Sequence, residues 1–273
     1  MRLQTVPARQ GAQWVRQGFK AFFKRPLAFA ALFATFMFTV FVLALLPYVG
    51  ALIMLALLPL VTLGFMIATR VAVDDGFPTA RVFIDPLRDG APRRNAMIQL
   101  GLVYAVATFA VMWLSDLVDR GAFESLMEAM PTAQTAPDAI AAKLAAPGLA
   151  LGLLLRFGLA GLLSVPFWHA PALVHWDGHG CAKALFSSTL ACWRNRGAFT
   201  VYSLVWFALI IAFGMVGSLL FGLLGQPQLF AIAAVPLSLL LATVFYVSLY
   251  FTFADCFVAG DGDAVAAPAA GAA

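Results

Sequence analysis

Residues 164–202 read SVPFWHAPALVHWDGHGCAKALFSSTLACWRNRGAFTVY, a stretch in which a hydrophobic run opens into a short polar segment and then closes again. It holds all 3 histidines of the chain, two of the 3 cysteines and three of the 6 tryptophans. Tryptophan is enriched where membrane-spanning helices meet water, and basic residues accumulate at the cytoplasmic ends of such helices. The stretch therefore predicts the end of one span, a cytoplasmic turn, an amphipathic segment and the start of the next span.

The composition of the whole chain indicates its class. Of the 273 residues, 63% are hydrophobic and 11% are charged, and the mean hydropathy is +0.92. A typical soluble domain has about 45–50% apolar and about 25% charged residues. We expect an all-α polytopic membrane helix bundle that forms a single domain over residues 1–256. The net charge of +4 then points to anionic lipid headgroups as partners rather than to nucleic acid.

Six apolar runs have the length of about 20 residues that a helix needs to cross the bilayer core. They cover residues 27–46, 49–73, 96–115, 148–173, 198–224 and 229–253. The first run leads straight into the second, so we expect a transmembrane hairpin rather than a cleaved signal peptide. Residues 257–273 are a low-complexity segment, and we expect a disordered tail there.

Residues 9–25, before the first run, have the pattern of an amphipathic helix. Basic residues recur at spacings of three and four, and aromatic residues occupy the other side. We expect this helix to lie in the membrane interface with its aromatic side in the acyl boundary. The same charges also suit a basic lead-in that sets the topology, and the two roles are compatible. The side chains predicted to contact anionic headgroups are Arg9, Arg16, Lys20, Lys24 and Arg25.

The distribution of basic residues predicts the orientation. Of the 17 lysines and arginines, six precede the first span, five lie between the second and third spans and three lie between the fourth and fifth, which makes fourteen on one side. Arg120 and Lys143 fall on the other side, and Arg156 falls within a span. Because basic residues concentrate on the cytoplasmic side, both termini are expected in the cytoplasm. The three cysteines would share that reducing compartment, where disulfides are rare.

Arg156 is the one charge predicted inside the hydrocarbon. It lies about eight residues into the fourth span, which at about 1.5 Å per residue is about 12 Å deep. An arginine at that depth costs about 2.5–3.5 kcal/mol unless it pairs or reaches the interface. Asp116 and Asp119, at the end of the third span, are the candidate partners. A structural ion pair and a contact to a substrate would leave the same trace in the sequence, so both interpretations stay open.

His175, Asp177, His179 and Cys181 fall within seven residues and are all residue types that bind first-row metals. Two glycines separate them and disfavour the single helix face that a site built on the two histidines would need. No second ligand pair at zinc-finger spacing is present in the sequence. We therefore predict no metal site and no cofactor, and these four residues are the candidates if a metal binds.

Motifs of the common enzyme classes are missing from the sequence, which has no Gly-rich phosphate loop, no HExxH and no GxSxG. We expect no catalytic residues and no enzymatic activity. Gly214, Ser218 and Gly222 form a series of small residues at four-residue spacing. Such a series suits close packing of helices within the chain, with homo-oligomerisation as the second explanation.

The segment PFWHAPALVHWDGHGCAKALFSSTLACWRNRGAFTVY resembles a family of uncharacterised six-span integral membrane proteins of proteobacteria. A proline-containing span end, an Ala/Ser-rich amphipathic helix and an Arg-Asn pair before the next span carry the resemblance. Residues 59–75 and the tripeptide Pro86-Leu87-Arg88 are similar to the second span and loop of the same family. The resemblance covers most of the chain apart from the long loop and the tail. It implies residence in the bacterial inner membrane, and nothing about a substrate.

These observations leave three functions to compare. The first is a non-enzymatic inner-membrane protein that acts in envelope organisation or as a partner of other proteins. The second is a small-molecule permease or export component, in which Arg156 would face a polar cavity. The third is an enzyme acting on lipid or metal, which would require the residues from His175 to Cys181 to converge.

Overall fold

The computed structural model describes residues 1–47, 49–130 and 137–258. The helices in these ranges are α1 (Gln10–Lys24), α2 (Pro26–Ala44), α3 (Val49–Val73), α4 (Ala91–Asp119), α5 (Ala122–Ala129), α6 (Pro137–Leu144), α7 (Leu149–Phe167), α8 (Ala170–Asp177), α9 (Cys181–Arg194), α10 (Arg196–Leu223) and α11 (Pro227–Cys256). Two strands, β1 (Arg2–Leu3) and β2 (Phe257–Val258), form a small sheet. Two short 3-10 helices, Ala80–Phe83 and Asp85–Leu87, lie between α3 and α4.

In the described part of the chain, six helical segments are long and apolar enough to cross a membrane. They are α2, α3, α4, the pair α7 and α8, α10, and the part of α11 from Ile232 to Cys256. The predicted all-α polytopic helix bundle is therefore confirmed. The third span is longer than predicted, since α4 begins at Ala91 rather than near residue 96. Pro92 lies in the first turn of α4, where a missing backbone N–H has no helical acceptor to lose.

A proline separates the first helix from the second. Pro26 follows Arg25, whose backbone angles of φ −141° and ψ 58° are not helical. Proline disfavours the helical conformation in the residue before it but suits the first position of a helix. The two helices are therefore joined through a single non-helical residue, and α1 lies against other helices instead of extending the first span.

The fourth span, predicted as one helix over residues 148–173, is broken. α7 ends at Phe167 and α8 begins at Ala170, with Pro171 in its first turn. Ser188 of α9 satisfies the backbone at this break: its hydroxyl accepts the His169 N–H at 2.9 Å and donates to the Val165 carbonyl at 3.0 Å. The break is thus stabilised by a residue from a later helix, which a local pattern of hydrophobicity does not reveal.

α1 packs into the cleft between α10 and α11. Trp14 is fully buried there, and its ring lies 5.2 Å from Phe199 and 6.0 Å from Tyr202 between centroids. The Trp14 indole N–H donates to the Oδ2 atom of Asp255 at 2.7 Å, and the Gln10 side chain donates to the same oxygen at 2.6 Å. The helix that precedes the first span is therefore anchored near the end of the last one.

This packing corrects the expectation that the aromatic side of α1 lies in the acyl boundary. Trp14, Gly18 and Phe22 are buried against the protein, whereas Phe23 is 62% exposed. The glycines explain the difference, because a Cβ added to Gly18 would lie 2.6 Å from the Cβ of Ser248 on α11. The absence of a side chain lets the backbones approach closely enough for the aromatic residues beside them to reach protein partners.

The two termini of the described chain meet. β1 pairs with β2 in antiparallel fashion, with Arg2 opposite Val258 and Leu3 opposite Phe257. The ends of a chain with six spans must lie on the same side of a membrane, and the pairing agrees with that. The prediction of a disordered tail is wrong at Phe257 and Val258, because β1 supplies their backbone partners. Residues 259–273 of that tail lie outside the described residues.

We predict that Gly18→Val lowers the stability of the protein by about 1–3 kcal/mol, because the added methyl groups would overlap Ser248. Ala12→Val is the matched control, since Ala12 lies on the exposed side of the same helix. The control is expected to change stability by less than about 0.5 kcal/mol. Thermal unfolding of both purified variants in one detergent measures the difference. Equal unfolding midpoints would contradict the close packing of α1 on α11.

Candidate functional site

The start of α7 lies against the end of α4, and glycines make this contact close. A Cβ added to Gly152 would lie 2.5 Å from the Cβ of Asp119, and one added to Gly148 would lie 2.9 Å from the Val118 carbonyl oxygen. Helical side chains lean toward the N-terminus of their own helix. A long side chain in the second turn of α7 is therefore directed toward the last turn of α4.

Arg156 occupies that position, seven residues after Leu149, and its side chain is 14% exposed. Its Nη2 atom forms one ion pair with the Oδ1 atom of Asp116 and another with the Oδ2 atom of Asp119, the latter at 3.5 Å. The ring of Phe123, at the start of α5, covers the guanidinium with 4.1 Å between the central carbon and the ring centroid. The structure thus brings Arg156 together with both aspartates named from the sequence.

Asp119 is the buried member of this cluster. Its side chain has no exposed surface, and its Oδ1 atom accepts the Gly121 N–H at 2.9 Å. Arg120 and Gly121 adopt left-handed backbone conformations with φ of 53° and 78°, which turns the chain from α4 into α5. Asp119 therefore holds three elements: the end of α4, the turn and, through Arg156, α7. Asp116 is 54% exposed, so the cluster reaches the surface of the bundle at this residue.

His175 and His179 have separate carboxylate partners. The Nδ1 atom of His175 lies 2.5 Å from the Oδ2 atom of Asp89, and the Nε2 atom of His179 lies 2.9 Å from the Oδ2 atom of Asp177. The other oxygen of Asp177 accepts the amino group of Met1 at 2.7 Å. Among the described residues, no group of three or more His, Cys, Asp or Glu side chains is arranged to hold a metal ion. The convergence that a metal centre needs is missing from this part of the chain.

Burial disfavours the charged forms of a histidine and two cysteines near this turn. It lowers the pKa of His179, although the neighbouring Asp177 carboxylate acts in the opposite direction. It raises the pKa of the Cys181 thiol, and it raises the pKa of Cys192 to about 12. Since the thiolate is the nucleophile and the metal ligand, burial disfavours the reactive form of both thiols.

Two of the five basic residues predicted to contact lipid have partners within the chain. Lys24 lies 2.9 Å from the carboxylate of Asp75 and donates to the Val73 carbonyl at 3.0 Å. Arg25 donates to the carbonyl of Asp75 at 2.9 Å. The hydrogen bond and the positive charge of Lys24 lower the pKa of Asp75. These contacts attach the end of α1 to the end of α3. Of the other three predicted residues, Arg9 is exposed just before α1, and Arg16 and Lys20 are exposed on α1.

The series of small residues on α10 is not used for packing within the described chain. A Cβ added to Gly214 or to Gly222 would meet no atom within 4 Å. Gly217, between them, is the residue of close approach, because its added Cβ would lie 2.1 Å from the ring of Phe230 on α11. The expected packing role of the four-residue series is therefore wrong, and the intramolecular contact falls on another face of the helix.

The sequence did not reveal a cavity of about 190 Å³ between α3, α4, α7 and α11. Its lining residues are Leu58, Pro59, Thr62, Tyr104, Ser164, Phe167, Trp168, Phe245, Tyr246 and Leu249. Pro59 was the available signal, because a proline inside a helix leaves a carbonyl without its helical donor and prevents tight packing around it. Arg156 does not line this cavity.

We predict that Arg156→Gln destabilises the protein by about 3–5 kcal/mol, because the change leaves the buried Asp119 carboxylate unpaired. Asp116→Asn is expected to cost at most about 1 kcal/mol, since Asp116 is half exposed and its contact is screened. The double variant Arg156→Gln/Asp119→Asn should regain part of the stability lost by Arg156→Gln alone. Thermal unfolding of the three variants tests this. A double variant no more stable than Arg156→Gln alone would show that the unpaired Asp119 carboxylate is not the source of the effect.

No protein-family profile and no solved structure matches the chain. A relative in Burkholderia thailandensis, named a probable inner membrane protein, is 34% identical over 258 residues, which cover 94% of each chain. This agreement over nearly the whole length, together with the six apolar helical segments, confirms the resemblance to the uncharacterised proteobacterial family. The chain therefore belongs to the family of this probable inner membrane protein, and it is itself a multi-pass protein of the inner membrane.

Proposed function

We propose that the protein is a non-enzymatic component of the inner membrane that organises the envelope or binds other membrane proteins, with both termini in the cytoplasm. The observation that carries the proposal is the cluster of Arg156, Asp116 and Asp119. Arg156, the single charge predicted within the hydrocarbon, lies on α7 and has its ion-pair partners on α4. These ion pairs contribute to the packing of α4 against α7.

The geometry of the cluster supports a structural role over a transport role. A charge that binds a substrate in a path must exchange its protein partners for the substrate during each cycle. Arg156 would have to give up two carboxylates and the Phe123 ring, and Asp119 would then be left as a buried unpaired charge. Leaving such a charge unpaired costs several kcal/mol. The arrangement suits a fixed joint between helices.

The charge distribution supports the cytoplasmic placement of the termini. The fourteen basic residues counted in the sequence belong to the segment before the first span and to the connections that a six-span chain has on the same side as its paired termini. Lys143 and Arg120 belong to the connection between α4 and α7 at the opposite end. A bias of this size toward one side is the pattern of cytoplasmic segments.

A small-molecule permease is the second candidate, and the cavity between α3, α4, α7 and α11 is the observation that favours it. Thr62, Tyr104, Ser164 and Tyr246 are among the residues that line the cavity, so side chains with hydroxyl groups contribute to its wall. In this alternative the path would pass through the cavity and not along Arg156. The two candidates differ in whether water reaches the cavity walls.

Labelling of single cysteines distinguishes the two candidates. Thr62→Cys and Ser164→Cys place a thiol on the cavity wall, in a background in which Cys181→Ser removes the partly exposed native thiol. The proposed function predicts that a membrane-impermeant maleimide added to either side leaves both thiols unmodified. Gly180→Cys, at an exposed position between α8 and α9, is the positive control. Labelling of both cavity thiols at a rate near that of the control would favour the permease.

We also predict the result of a topology experiment. Green fluorescent protein fused after Val258 should fluoresce, and alkaline phosphatase fused after Met130 should be active, because the first folds in the cytoplasm and the second requires the periplasm. The exchanged fusions serve as controls and should both be silent. The opposite pattern would overturn the cytoplasmic placement of the termini while leaving the fold unaffected.

A further inference from the structure

A groove of about 680 Å³ lies between α7, α9 and α10 on the outside of the bundle. It is lined by Val165 of α7, by Trp168, which follows the end of α7, and by Phe199 of α10. Leu204 and Phe207 continue it along α10, where they are 59% and 64% exposed. The groove therefore runs along the surface of a membrane-spanning helix and opens toward the lipid.

The length of the groove corresponds to one leaflet. Arg196 and Phe207 mark its two ends on α10 and are eleven residues apart (207 − 196), which at about 1.5 Å per residue is about 16 Å. The hydrocarbon core of a bilayer is about 30 Å thick, so one leaflet contributes about 15 Å. A lipid acyl chain lying along α10 would fill the groove without crossing the midplane.

One end of the groove is basic and aromatic, as expected at a headgroup. Arg196 is exposed there, and the central carbon of its guanidinium lies 5.7 Å from the centroid of the Trp193 ring. Arg194 is exposed in the adjacent turn. Within the described residues, Arg196 has no carboxylate within ion-pair distance, and no acidic residue lines the groove. An anionic group at this end would meet a charge that the protein itself leaves uncompensated.

The walls of the groove suit a hydrocarbon occupant. The Ser164 hydroxyl donates to the Gly161 carbonyl at 2.6 Å, and the Trp168 indole N–H donates to the Thr252 hydroxyl at 3.1 Å. These polar groups are satisfied within the protein and do not require a polar solute. Gly161 leaves open space in the wall, since a Cβ there would meet no atom within 4 Å.

We propose that this groove binds one acyl chain of an anionic glycerophospholipid, with the lipid phosphate at Arg196. The assignment of the lipid to the cytoplasmic leaflet rests on the proposed orientation of the termini. The match to one leaflet, the uncompensated arginine at one end and the apolar walls together identify the ligand class. The lipid would fill the space between α7 and α10. At the basic end of the groove, α9 covers this space.

Native mass spectrometry of the full chain tests the proposal. The protein is exchanged into detergent containing equal amounts of phosphatidylglycerol and phosphatidylcholine, and the lipids that remain bound are counted. We expect one retained phosphatidylglycerol, favoured over phosphatidylcholine by about tenfold. Both lipids carry the phosphate, but the choline cation of phosphatidylcholine offsets its charge, so only phosphatidylglycerol presents a net negative headgroup to Arg196. Arg196→Gln should abolish this preference for the anionic lipid. Gly161→Phe should reduce retention of both lipids, since its ring would occupy the groove.

Two matched variants are the controls. Gly158→Phe adds the same ring to α7 at another position with open space, and Arg81→Gln removes an exposed cation from the 3-10 helix Ala80–Phe83, outside the groove and outside the predicted headgroup contacts. Both should retain lipid as the wild type does, and unfolding midpoints will show that all four variants are folded. Unchanged retention in Arg196→Gln and Gly161→Phe would overturn the proposal. Equal losses of lipid in all four variants would also overturn it, because they would indicate lipid bound nonspecifically to the surface. A dimer without bound lipid would overturn it as well.

This experiment is independent of the proposed function. Lipid counts in detergent do not depend on the orientation of the protein, so a reversed topology in the fusion experiment would move the lipid to the other leaflet without removing the groove. A lipid bound to the wild type and lost with Arg196→Gln would likewise stand if the cavity thiols proved accessible to water.

Discussion

A backbone N–H or C=O that leaves a helix within a membrane finds no water to bond, so it must find a partner in the protein. The corner formed by α7, α8 and α9 depends on this constraint. Prolines interrupt the fourth span, and the hydroxyl of Ser188 on α9 supplies both a donor and an acceptor for the freed groups. The position of α9 is set by this contact. Through α9, the contact also sets the basic end of the groove and the point at which α10 begins.

Glycine has a similar effect at the helix contacts. Gly18 lets α1 lie against α11, Gly152 lets α7 lie against the end of α4, and Gly217 receives the ring of Phe230. In two of these contacts the close approach brings a larger neighbour to its partner: Trp14 to Asp255 in the first, and Arg156 to Asp119 in the second. The polar contacts of the bundle thus depend on the absence of side chains nearby. Substitutions at the glycines should disturb polar pairs beyond their own contacts.

Features that depend on local composition could be predicted from the sequence. The six apolar segments, the all-helical class and the pairing partners of Arg156 could be inferred from hydropathy, length and the cost of a charge in hydrocarbon. The break after Phe167, the docking of α1 and the strand at Phe257 could not, because each depends on a residue distant in the chain. Ser188, Asp255 and Leu3 are the respective partners. Lys24 shows the same limitation, since its position on a helix pattern gives no sign of its contact with Asp75.

The packing of α1 against α11 has a consequence for biosynthesis. α1 leaves the ribosome well before its partners on α11: Gly18 and Ser248 are 230 residues apart (248 − 18). At about 5–20 residues per second, α1 waits about 10–50 s for them. During that interval its aromatic face has only the membrane surface to cover it, as an amphipathic helix of this kind does. The position at the membrane surface that the sequence predicts for α1 thus applies to an interval of synthesis. That interval ends when α11 is inserted and α1 packs against it.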